Sequence, residues 1–313
     1  MPEAVDCLPL NRFSSGALGN FGSYRVDVLN FGRFALDGGA MFGTVPKVLW
    51  QQVIDCDCCN RIPQATNVLL IRDDRHVILV DCGNGDKWSN KQRDMYAIAD
   101  TPSIRDLLAP FGLTPQDVTH LCLSHLHFDH VGGATYRQEG SEGTCPVLTF
   151  ANAQIWVHQG EWEYACHPHA RAKASYLPEN LNPIKASGQL HLCQGSKTEI
   201  LPGLFMQLTG GHTPYHQVII LEGANAALDA QGVIYWGDIL PTRHHVRPSW
   251  VMGYDEYPVE VMKIKETLMK EAHEKRWISV LDHDVDHPVG FAEPSEKGFI
   301  WRPLEPETLK APS

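Results

Sequence analysis

The stretch Thr119-His120-Leu121-Cys122-Leu123-Ser124-His125-Leu126-His127-Phe128-Asp129-His130-Val131-Gly132-Gly133 decides how the rest of the chain is read. An apolar run of β character leads directly into four side chains able to bind a metal, packed into six residues. Side chains two apart in an extended segment face the same way, so His125 and His127 can reach one ion, while Asp129 and His130 follow from the turn. Gly132 and Gly133 give that turn its backbone freedom. Read as a solvated loop, the segment would leave four such groups without a purpose, so a metal site is the expectation.

Three later segments add to it: Thr209-Gly210-Gly211-His212-Thr213-Pro214, Val233-Ile234-Tyr235-Trp236-Gly237-Asp238 and Ile278-Ser279-Val280-Leu281-Asp282-His283-Asp284. Each one alone reads more readily as a cap or a satisfied polar group at a strand end. Their order and combination carry the signal. Strand-like runs are expected at 67–71, 76–81, 119–123, 153–157, 217–221, 233–236 and 277–281, and the reactive residues cluster at their ends. Helices are expected at 102–111, at 161–174 and, most clearly, at 258–275, where Val261, Ile264, Leu268 and Ala272 form a stripe behind Pro258. The weakly patterned stretch 175–196 reads mostly as loop. No repeat, heptad or low-complexity tract is present, which leaves a mixed α/β chain.

His-x-His-x-Asp-His, then Gly-His-Thr-Pro, then Gly-Asp, then a late His resembles the metallo-β-lactamase superfamily. The likeness runs from about Tyr24 to His283 and takes in Val80-Asp81-Cys82-Gly83-Asn84-Gly85, where Cys82 replaces a commoner Thr and Asp81 keeps its structural role. The resemblance implies a four-layer αβ/βα sandwich, two facing mixed sheets with helices outside. It also implies that His125, His127 and His212 hold one metal, that Asp129, His130 and His283 hold the other, and that Asp238 bridges them. His216 matches a supporting position, and Tyr215 stands where Gly is usual. The implied cofactor is a pair of divalent ions, Zn first, with Mn, Co or Fe able to occupy His/Asp sites according to availability. Such ions lower the pKa of bound water toward about 7, so the expected nucleophile is a bridging hydroxide, with Asp129 as the catalytic proton carrier. A di-iron redox protein is disfavoured, because that branch carries Glu where His127 stands.

The totals agree. With 313 residues and 43% hydrophobic content, the expectation is one domain over 1–313, with an N-terminal extension at 1–23 and a C-terminal tail at 303–313. The net charge of -11 repels phosphate backbones and anionic lipid, so neither nucleic acid nor membrane is an expected partner. The acidic start Met1-Pro2-Glu3-Ala4-Val5-Asp6 is unlike a secretory signal, and the odd count of nine cysteines suits reduced thiols; a cytoplasmic location is expected. Cys56, Cys58 and Cys59 read as structural or incidental. A small-molecule substrate is the expected partner, and the resemblance adds a homodimer.

Segments 36–47, 60–67 and 250–255 resemble the branch of quorum-quenching N-acyl-homoserine lactone lactonases and related organophosphate or carboxylester hydrolases. The implied activity is opening of a lactone or ester, with a phosphotriester or phosphodiester as the alternative. Met41 and Phe42, on a Gly-rich loop, read either as an apolar lip over the metals or as core, and Trp250, Val251 and Met252 divide the same way. Pro241 stands where such lactonases place a Tyr that touches the substrate carbonyl, which leaves His244 or His245 as candidate donors.

Overall fold

A computed structural model describes residues 15–98, 102–138, 145–296 and 298–304. The acidic start and the tail beyond Leu304 lie outside the described residues.

The first sheet begins with β1 (Ser15–Phe21), β2 (Tyr24–Asp37), β3 (Arg61–Arg72), β4 (Val77–Val80) and β5 (His120–Cys122). After a two-stranded ribbon, β6 (Thr135–Tyr136) and β7 (Val147–Leu148), it ends with β8 (Gln154–His158) and β9 (Leu190–Cys193). The second sheet runs in chain order through β10 (Lys197–Leu201), β11 (Leu204–Leu208), β12 (Gln217–Asn225), β13 (Ala230–Tyr235), β14 (Trp277–Val280), β15 (Val289–Ser295) and β16 (Gly298–Pro303). Each sheet mixes orientations: β4, β5, β8 and β9 run parallel, as do β13 and β14, and the other pairs are antiparallel.

Side-chain alternation builds the four layers. Ile78 and Val80 of β4 join Ile219, Leu221, Val233 and Val280 between the sheets. Leu79 faces the other way, into a layer with Leu181 and Ile184 from the helix Pro178–Ser187. Beyond the second sheet, Val218, Ile220, Ile234 and Trp236 pack with Val261, Leu268, Met269 and Ala272 of the helix Pro258–Glu274. Burying each such side chain contributes roughly 1.5–3 kcal/mol. The fold is therefore the αβ/βα sandwich that the resemblance implied. No helix among the described residues is long and apolar enough to cross a membrane.

Several local expectations are corrected. The extension at 1–23 includes β1, an edge strand paired with β2. The helix expected over 161–174 is Gln159–Cys166. The stretch read as loop at 175–196 holds the helix Pro178–Ser187 and β9; Pro183 inside that helix hid it, since proline marks a break elsewhere. The Gly-rich segment expected as a loop after Leu36 is ordered as a helix. Gly38–Phe42 is a helical turn capped by Asp37, whose carboxylate accepts the Ala40 N–H at 2.8 Å.

Candidate metal centre

The expected ligands all follow strand ends on one edge of the sandwich. β5 leads to His125, His127, Asp129 and His130; a turn before β12 carries His212; the turn after β13 carries Asp238; the segment just after β14 carries Asp282 and His283. The two sheets are joined at this edge by Asn67 of β3. Its amide donates to the carbonyls of Leu281 at 3.0 Å and Asp284 at 2.8 Å, and its backbone N–H donates to Asp282 O at 2.8 Å.

Two groups of donor atoms converge, each drawn together within 4.8 Å: His125, His127, His212 and Asp238, and His130, Asp238, Asp282 and His283. Asp238 is common to both. In the first group its Oδ2 is 2.9 Å from His212 Nε2 and 3.7 Å from His125 Nε2, and His127 Nδ1 faces His212 Nε2 at 3.0 Å. In the second, His283 Nε2 is 3.1 Å from Asp238 Oδ1 and His130 Nε2 is 3.7 Å from Oδ2. Asp129 borders the second group, with Oδ1 3.9 Å from His130 Nε2 and Oδ2 3.6 Å from His283 Nε2. His125 Nε2, His130 Nε2, Asp238 Oδ1 and both Asp282 oxygens are buried without a hydrogen-bond partner. Buried polar atoms left unpaired cost several kcal/mol when charged. This donor set fits a pair of divalent cations.

The Nδ1 atoms of His125, His130, His212 and His283, which face away from these groups, are held, whereas His127 Nε2 has no partner among the described residues. Asp81, at a positive φ of 58°, contacts His130 Nδ1 at 2.8 Å and accepts the Ser124 N–H at 2.8 Å and hydroxyl at 2.7 Å; Ser124 Oγ in turn lies 3.1 Å from His125 Nδ1. Asp81 thus has the structural role expected of it. His283 Nδ1 donates to Ala65 O at 2.8 Å. His212 Nδ1 meets Asp255 Oδ1 at 2.9 Å. His216 accepts the Asp238 N–H at 3.2 Å and contacts Thr209 Oγ1 at 2.8 Å. Such partners fix ring orientation and the donor nitrogen.

Sequence reasoning missed Asp255, Asp282 and Glu161. Glu161, fully buried, accepts the Leu126 N–H at 3.1 Å, the Tyr176 hydroxyl at 2.9 Å and the Thr213 hydroxyl at 2.6 Å. One carboxylate therefore ties the His125–His127 segment to the His212 turn.

The charges are frustrated without cations. Burial and the imidazoles of His130, His127 and His212 hold His125 well below the usual histidine range, and burial with His212 does the same to His127. Burial opposes protonation of His212 as well, but Asp238 and Asp255 outweigh it and push that ring up to about 10. His283 is pushed up to about 9, burial being outweighed by Asp282 and Asp238. Burial, with Asp238 adding to it against His283 and His130, pushes Asp282 up to about 8. Buried carboxylates here require positive charge, which protons or metal ions can supply.

A cleft opens over the donors, walled by Leu36, Met41, Phe128, Met252, Tyr96 and Tyr254. Met41 and Met252 are thus both buried and cleft-facing. Phe42 and Trp250 lie behind: Phe42 stacks between Trp50 and His245 at centroid distances of 5.5 and 4.9 Å, and Trp250 meets Phe42 edge-on. Val251 packs against the helix Pro258–Glu274. His244 and His245 do not line the cleft, which corrects their reading as donors. His245 is committed to Thr242 Oγ1 at 2.7 Å and Met41 O at 2.9 Å, and burial holds His244 down to about 4. The cleft's phenols come instead from Tyr96 and Tyr254. Cys56, Cys58 and Cys59 are unbridged thiols away from the centre.

Comparison with known proteins agrees with this geometry. The sequence profile of the Metallo-beta-lactamase superfamily matches residues 61–139. A curated N-acyl homoserine lactonase from a Bacillus species is 29% identical over 190 residues, covering 60% of this chain and 64% of that protein. The chain thus spans just under two thirds of that relative's length. The crystal structure of a probable metal-dependent hydrolase from Staphylococcus aureus superposes with a TM-score of 0.79 at 30% identity, covering 91% of this chain and 99% of the other. A dizinc quorum-quenching lactonase in complex with a product superposes with a TM-score of 0.73 at 20% identity, over 93% of this chain and 98% of the other; at that identity the likeness concerns the fold.

Proposed function

The chain belongs to the metallo-β-lactamase superfamily, and from that premise we propose that it is a two-metal hydrolase that opens a lactone or ester carrying an apolar acyl chain. The observation that carries this reading is the set of buried, unpaired donor atoms split into two groups that share Asp238. His125, His127 and His212 hold one ion, Asp129, His130 and His283 the other, and Asp238 both; zinc is the first candidate, since imidazole with carboxylate suits it. Two ions so held supply an acidified water and a Lewis acid for the substrate carbonyl.

The chain's own residues do the rest. Met41, Met252, Leu36 and Phe128 offer the apolar wall an acyl chain needs, and exclude water from the donors beneath. Asp129 borders both the second donor group and the cleft, where its carboxylate is placed to carry a proton to the departing alkoxide. Burial, with Asp37, Tyr96 and Asp129 nearby, raises Tyr254 above the ordinary phenol range. It stays protonated at neutral pH and can donate to the substrate, a role Pro241 cannot fill.

The test is a pH-stat assay of metal-stripped and zinc-reloaded protein on a long-chain N-acyl lactone beside a phosphotriester. Acid release from the lactone by the reloaded protein alone supports the reading. Turnover of the phosphotriester alone, or lactone turnover that survives stripping, overturns it.

A further inference from the structure

We propose that Asp282 is itself a ligand of the second ion, and that this position therefore favours a harder, higher-coordinate cation such as Mn²⁺ relative to the first. The inference rests on the two-metal reading above but goes beyond the ligand set that the family resemblance supplies, in which the residue before the late His has no part.

Asp282 is 1% exposed, and neither of its carboxylate oxygens has a hydrogen-bond partner. Its Oδ2 is 3.5 Å from His283 Nε2 and 3.8 Å from His130 Nε2, the two nitrogens that face the second position. Donors about 2.0–2.2 Å from one ion stand roughly 2.8–3.6 Å from each other at octahedral to tetrahedral angles, so the 3.5 Å spacing lies inside that range and the 3.8 Å spacing just beyond it. The backbone at Asp282 is held by the seam, since its carbonyl accepts the Asn67 N–H at 2.8 Å. A carboxylate buried without a hydrogen-bond donor is costly while ionised, and a cation held beside it offsets that cost.

The two positions then differ in kind. The first offers three imidazoles and the shared Asp238, a set matched to tetrahedral zinc. The second offers two imidazoles with Asp238, Asp282 and the bordering Asp129, more donors than a tetrahedron accepts and richer in carboxylate, the ligand type that suits Mn²⁺. Three carboxylates also offset two dications more fully than two would.

The experiment titrates metal-stripped full-length protein with Mn²⁺ and, separately, Zn²⁺ against a competing chelator, for wild type and Asp282→Ser, with Asp282→Asn as a shape-preserving control and circular dichroism to verify folding. In wild type, two ions bind per chain and the Mn²⁺-to-Zn²⁺ affinity ratio is higher at the second position. In Asp282→Ser the second Mn²⁺ weakens at least tenfold while the first Zn²⁺ changes less than twofold. A variant-free measurement stands beside it: the second Co²⁺ added to wild type gives the weak visible bands of a five- or six-coordinate ion rather than the intense bands of a tetrahedral one. A second Mn²⁺ that binds Asp282→Ser as tightly as wild type, or a tetrahedral second Co²⁺, overturns the role of Asp282 and leaves the two-metal reading standing. Wild type that takes up fewer than two ions overturns both.

Discussion

His212 Nδ1 and Asp255 Oδ1 lie 2.9 Å apart, and the other oxygen of the same carboxylate accepts the Met252 N–H at 2.8 Å. Asp255 thus links a donor of the metal centre to the wall of the cleft. Asp255→Asn removes the charge that orients the ring and raises its basicity, and a loss of about 10–100-fold in metal affinity is expected. Chelator competition measures it, and an unchanged affinity would refute the link.

Glu161 satisfies three buried donors at once. Glu161→Ala leaves all three unpaired at about 1–3 kcal/mol each, so urea denaturation should show a loss of several kcal/mol. Glu161→Gln, which keeps the volume and one acceptor oxygen, should lose clearly less. Equal midpoints for wild type and the alanine variant would show that the hub does not matter.

Lys265, fully buried on the helix Pro258–Glu274, donates to Trp250 O at 2.6 Å, and burial pulls it down to about 7 against the pull of Asp255. A depressed lysine pKa means that the unfolded chain binds more protons between about pH 7 and the ordinary value near 10.4. Stability contributed through this group therefore rises as pH rises across that window and is at its lowest below pH 7. Lys265→Met should flatten this trend. Melting temperatures of wild type and variant from pH 6.5 to 9.5 test it, and parallel curves would count against it.

Gly133 and Gly132 pack so closely on the 82–84 turn that an added Cβ would overlap the carbonyl oxygens of Cys82 and Asn84 respectively. Neither obstacle is a flexible side chain, so Gly133→Ala should lose on the order of 3 kcal/mol or more. A thermal melt of the variant within 2 °C of wild type, a margin of roughly 1 kcal/mol for a chain of this length, would contradict this.

Much of the centre was legible because its side chains sit at the ends of apolar strand-like runs, where a change from buried to polar residues is visible without coordinates. Positions 125–130 even carry four donors in one turn. Asp255 and Glu161 were not legible: their partners lie 43, 35 and 52 residues away, and only folding brings them together. Asp282 was visible, but an acid beside a histidine reads as a solvated cap until its burial is known. β2 was missed for another reason. Its burial on both faces, with Asp27 and Asn30 among the buried residues and a register shift between Asn30 and Arg33, erases the alternation by which a half-exposed strand is recognised.

The amide of Asn67 grips the segment that follows β14 from the opposite sheet, and this has a mechanical consequence. The distance between the two donor groups is stored in the joint where the halves of the sandwich meet, and in neither half by itself. Anything that pries that joint open, a wedge-shaped inhibitor or a swollen side chain well away from the cleft, would detune the chemistry without touching a single ligand.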